Sequence, residues 1–134
     1  MEGHVCHRWY SEKGIPYACL LPNGNLLYRM KPPADVECMQ GFGGSSAGLF
    51  ELDWDGNVLW EYNEPLLHHD FLRLSNGNTL MLVWEKLSAE LTSLVRGGYT
   101  TDEDPEQMFG DVVREIATDG SVVDELRLWK HLTL

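Results

Sequence analysis

The chain has few cysteines, few cations and no long apolar run, and each shortage removes a class of protein. Cys6, Cys19 and Cys38 are three in number and form no Cys-x-x-Cys pair, so neither a disulfide framework nor a zinc site is indicated. Buried free thiols are expected instead. Ten Lys and Arg face 21 Asp and Glu, a formal charge of −11, which opposes non-specific binding to nucleic acid or to an anionic membrane. No apolar stretch approaches the roughly 18 residues of a membrane helix, and the first residues lack the charged-then-apolar pattern of an export signal. As written, the chain is expected to be soluble and cytoplasmic. Gly41-Phe42-Gly43-Gly44-Ser45-Ser46 is not followed by Lys-Ser/Thr and reads as a flexible loop rather than a phosphate cradle. The acidic run Asp102-Glu103-Asp104 reads as a solvated loop.

What the chain does have is an internal repeat. Leu21-Pro22-Asn23-Gly24-Asn25-Leu26-Leu27 returns as Leu74-Ser75-Asn76-Gly77-Asn78-Thr79-Leu80, and Gly3-His4-Val5 returns at the same offset as Gly56-Asn57-Val58. A less regular copy follows at Gly120-Ser121-Val122. A period of this size, made of short strands and Asn-Gly or Asp-Gly turns, marks a propeller-like array. The expected fold is all-β: about two antiparallel four-stranded blades, preceded by one leading strand. The 43% hydrophobic content and 134 residues allow a single domain with a real core.

The leading strand is expected at residues 4–9. Strands of the first blade follow at about 17–21, 25–30, 47–53 and 57–62. Those of the second, which occupies 68–129, are expected at about 69–74, 78–84, 111–117 and 121–128. Asn23-Gly24, Asp55-Gly56, Asn76-Gly77 and Asp119-Gly120 supply the positive φ that tight hairpins need. Long segments, 31–46 and 85–110, separate the second and third strands of each blade. The second insertion carries a short helix, with Ser88 as N-cap and Leu91, Leu94 and Val95 on one face before Gly97-Gly98. The five tryptophans are expected to pack between blades.

Within the repeat, His68-His69-Asp70 stands where the other copy has Ile15-Pro16-Tyr17. The architecture accepts either, so something other than folding selects the histidines. In a propeller the start of a first strand lies at one mouth of the central channel, and an imidazole there titrates near neutral pH. Alternation would turn His68 and His69 to opposite sides, leaving one of the pair structural. His4, Cys6 and His7 are separated by the same alternation and give no ligand set. No cofactor is indicated.

Leu20-Leu21-Pro22-Asn23-Gly24-Asn25-Leu26-Leu27, Glu51-Leu52-Asp53-Trp54-Asp55-Gly56-Asn57-Val58-Leu59-Trp60-Glu61-Tyr62 and His68-His69-Asp70-Phe71 through Ser75-Asn76-Gly77-Asn78 closely resemble the bacterial propeller-type arylsulfotransferases. The resemblance implies blades of a six-bladed propeller. It further implies transfer of a sulfuryl group from a phenolic sulfate ester to a phenol through a histidine, and relatives that often act outside the cytoplasm. His69 with Asp70 matches the family's first active-site histidine motif, which implies a sulfate-contacting or acid-base role for His69 supported by His68 and Asp70. The family's later nucleophile-bearing motifs have no counterpart, since His131 is the one histidine after His69. Trp129-Lys130-His131-Leu132 resembles a segment that leads into further blades. Two function classes therefore stand: an arylsulfotransferase-like catalyst whose ligand is a phenolic sulfate or other small anion, and a non-catalytic binding or assembly module. Two blades would also expose apolar faces, which predicts self-association, with three copies able to build a six-bladed ring.

Overall fold

A computed structural model describes residues 2–32, 43–95 and 108–131. It is all-β, with two four-stranded antiparallel sheets and one short α-helix. The first sheet contains β1 (Tyr17–Leu20), β2 (Leu26–Arg29), β3 (Gly48–Leu52) and β4 (Val58–Asn63) in that spatial order; the second contains β5 (Leu67–Arg73), β6 (Thr79–Lys86), β7 (Phe109–Ile116) and β8 (Val122–Arg127). Contacts divide the chain into two compact units, 1–65 and 66–134, one sheet to each.

The sequence repeat is a structural repeat down to single hydrogen bonds. Gly24 and Gly77 adopt φ of 88° and 89°, which a side chain would strain, and their amides donate to Leu21 O and Leu74 O. Asn25 Nδ2 donates to Glu51 Oε1 at 2.7 Å, and Asn78 Nδ2 donates to Glu115 Oε1 at 2.6 Å. These bonds tie each first hairpin to the third strand of its own sheet, so the Asn-Gly-Asn signature specifies more than a turn. Each third strand also shifts register once against its fourth, at Glu51/Leu52 and at Glu115/Ile116.

Alternation places Leu26, Tyr28, Phe50 and Leu52 on one face of the first sheet, where they form a core cluster with Met30. Residues 4–9 do not form the expected leading strand. They are held by side chains instead: Trp9 Nε1 donates to Asp53 O at 2.8 Å, and the His7 ring stacks on Trp54 at 3.9 Å. Aromatic anchoring at the β3–β4 turn takes the place of a backbone ladder. Cys6, expected to be buried, is exposed on this segment, and Cys19 is half-buried; Cys38 lies outside the described residues.

In the second unit Leu67, Phe71, Met81, Val83, Val112 and Ile116 are buried and share one face by register. That face ends in a charged network on β6, β7 and β8. Arg114 Nε donates to Glu125 Oε1 at 2.7 Å, while Arg127 donates to Glu125 Oε2 at 2.8 Å and to Glu85 Oε1 at 2.9 Å. The hydrogen bond from Arg114 and its charge, followed by Arg127, hold the Glu125 carboxyl below its ordinary value of 4.5. The unfolded chain therefore protonates first on acidification, and the stabilisation present above that value is lost as pH falls towards the lowered folded pKa. The expected outcome is a higher Tm for wild type than for Glu125→Gln at neutral pH, with the gap closing below pH 4.5; melts followed by circular dichroism over that range check it.

Candidate functional site

The His-His-Asp sequence lies inside β5 rather than ahead of it. His68 pairs with Leu82 and Phe71 with Met81, so His69 and Asp70 are two extra residues bulged out of the ladder. A two-residue insertion keeps the face parity, and Phe71 returns to the side of Leu67. His69 takes up the distortion at φ 51°, the one positive φ outside glycine among the described residues. Such a conformation stores strain and recurs where function requires it. Asp70 is exposed and closes the bulge locally, its Oδ1 accepting from the Phe71 amide at 2.8 Å.

The bulge overturns the expectation that strand alternation separates the two rings. Their Nδ1 atoms lie 3.0 Å apart, close enough to share one proton. His68 is 3% exposed, stacked on Trp84 at a centroid distance of 4.3 Å and an interplanar angle of 12°. His69 is exposed and meets Trp84 edge-on at 6.3 Å. One histidine is thus built into the sheet and the other is presented to solvent by it.

The copies of the repeat part company here. Pro16 stands where the second copy has His69, and a proline ring fixes φ near −65°, whereas His69 needs a positive φ. β1 begins only at Tyr17, while β5 begins at Leu67. The first copy therefore cannot make this bulge, and the exchange of residues is also an exchange of backbone.

Two members of the site carry no local sequence signal. Trp84 and Asp111 are cross-strand partners on β6 and β7, and register puts them on the face that carries His68 and Leu82. Asp111 Oδ1 lies 3.5 Å from His68 Nε2, with the Asp111 side chain 53% exposed. Asp111 also lines a cavity of about 360 Å³ together with Leu91, Val95, Phe109 and Trp129. Leu91 and Val95 come from α1 (Ala89–Leu94) and its C-cap, and Ser88 Oγ accepts from the Leu91 amide at the other end. Leu94, expected on the same apolar face, is 58% exposed, and Gly97-Gly98 lies outside the described residues. Trp129 Nε1 donates to Glu85 Oε2 at 2.9 Å, and its ring occupies the space a side chain at Gly110 would need.

Among the described residues, no group of three His, Cys, Asp or Glu side chains is placed to hold a metal ion, and no helix is long and apolar enough to cross a membrane. The fold and site define an all-β protein of blade-like four-stranded sheets with a histidine pair on a strand bulge. Comparison with protein-family models, curated proteins and solved structures finds no match for the chain.

Proposed function

We propose that the chain takes part in sulfuryl transfer from a phenolic sulfate ester to a phenol, with His69 as the acid-base and sulfate-contacting residue. The observation that carries this reading is the bulge: it exposes His69 in a strained conformation and sets its Nδ1 3.0 Å from a second, buried imidazole. As the acceptor oxygen forms its bond to sulfur, the sulfur–oxygen bond to the donor breaks and a phenolate leaves. His69 Nε2 takes the acceptor's proton and afterwards returns it to that phenolate. The transient imidazolium is stabilised by its neighbours, because the Nδ1 proton can pass to His68, which lies against the Trp84 face and near the Asp111 carboxylate. The apolar cavity that Asp111 borders offers an aromatic ring a seat. Asp70 supports the site indirectly by closing the bulge.

A binding experiment tests the assignment. Titration of 4-nitrophenyl sulfate into protein labelled with ¹⁵N-histidine is expected to shift the His69 resonances and leave those of exposed His4 in place. Equal shifts at both, or none, would count against it.

A second reading, an assembly module, is favoured by a separate observation. Val58 and Leu59 on β4, and Val122, Val123 and Leu126 on β8, are each close to half exposed or more, which on outer strands favours association. Self-association to a trimer would show as a native mass independent of concentration in light scattering. A monomer at high concentration would exclude it.

A further inference from the structure

The groups around His68 bear on which nitrogen of His69 carries its proton. Asp111 Oδ1 lies 3.5 Å from His68 Nε2, an ion-pair distance rather than a hydrogen bond, and the negative charge of the carboxylate favours the tautomer that carries its proton on that nitrogen. With His68 neutral, its Nδ1 then carries the lone pair. The 3.0 Å contact between the two Nδ1 atoms needs one donor and one acceptor, so the proton belongs to His69 Nδ1. The lone pair of His69 is left on Nε2. This ordering passes through a buried ring stacked flat on Trp84, and turning that ring over would put Cδ2 in place of Nδ1 and lose the contact with His69.

We infer that Asp111 is a positioning residue that, through His68, sets the tautomer of His69 and leaves His69 Nε2 unprotonated as the proton acceptor of the site. The inference deepens the acid-base reading and rests on it for its functional meaning, but the tautomer itself is measurable with no sulfate ester present. An outer partner of this kind acts on the reacting group by orienting it and fixing its tautomer.

Long-range ¹H–¹⁵N correlation spectra of the unmodified protein, at a pH where both rings are neutral, read the tautomers directly. The expected result is a protonated Nδ1 and an unprotonated Nε2 for His69, with the reverse for His68. Asp111→Asn removes the negative charge that favours the proton on His68 Nε2. It is expected to populate the opposite tautomer of both rings, and Asp111→Glu to restore the original one. The rate at which diethyl pyrocarbonate modifies His69, measured against exposed His131 in the same sample, should fall about tenfold in Asp111→Asn.

A protonated Nε2 on His69 in the unmodified protein would overturn the inference, and so would an Asp111→Asn variant with the wild-type amide spectrum and unchanged tautomers. The first of these needs no variant to fold. The predicted tautomer without aryl sulfate turnover would leave the inference standing and remove the functional reading. Turnover with the opposite tautomer would do the reverse.

Discussion

Replacing His69 by alanine is expected to lower aryl sulfate turnover about 100-fold or more, the usual contribution of a positioned general acid-base group. The fold should survive, because the side chain is exposed and the ladder already steps around it. His69→Gly makes the case sharper. Glycine accepts φ 51° without a Cβ, so this variant should be as stable as wild type, or slightly more so, while losing the same activity. A site that costs stability to maintain and yields function is the pattern expected of stored strain. Cys19→Ala, a half-buried thiol on β1 with no part in this chemistry, should leave turnover unchanged. Rates with 4-nitrophenyl sulfate and phenol, alongside melting temperatures, separate the two effects.

The largest effect on stability is expected from Phe50→Ala. Phe50 is 1% exposed and lies at the centre of the first sheet's core, with Tyr28 stacked at 5.5 Å on one side and Lys13 Nζ 4.2 Å from its centroid. Removing the ring forfeits its burial and opens a cavity that a sheet cannot close by collapsing, a combined cost of about 3–5 kcal/mol. Tyr28 is fixed from its far end by the 2.9 Å hydrogen bond between its hydroxyl and Ser11 Oγ, which further limits its movement into the gap. Leu59→Ala on β4, where the side chain is 57% exposed, should change stability by no more than about 0.5 kcal/mol. Urea titration of the two variants under identical conditions compares them.

Much of the fold is legible in the sequence because its turns are chemically explicit. Four Asn-Gly or Asp-Gly pairs demand positive φ, and glycine takes it at 24, 56, 77 and 120; the strands between them follow from apolar alternation. Residues 4–9 show a strand-like composition but join no backbone ladder, and Trp9 and His7 dock by their side chains. Composition records propensity, whereas a strand exists only with a partner.

The site was half legible. His68-His69-Asp70 stands out against Ile15-Pro16-Tyr17, and Pro16 even shows why the first copy cannot share the geometry. The bulge itself depends on how many residues of β5 oppose β6, a count no single strand reveals. Asp111 is more hidden still. It comes near His68 only because β7 begins, after the connecting segment 87–108, in the register that sets Asp111 opposite Trp84, and the length of a connection does not encode that register. Two residues remote in sequence are joined by a ladder, which periodicity cannot see.

Turnover of 4-nitrophenyl sulfate by the unmodified protein, with phenol as acceptor and both products quantified, decides whether His69 serves in sulfuryl transfer. The expected result is release of 4-nitrophenol in step with formation of phenyl sulfate, lost in His69→Ala. No phenyl sulfate at any protein concentration, from a sample whose sheets are intact by circular dichroism, would contradict it.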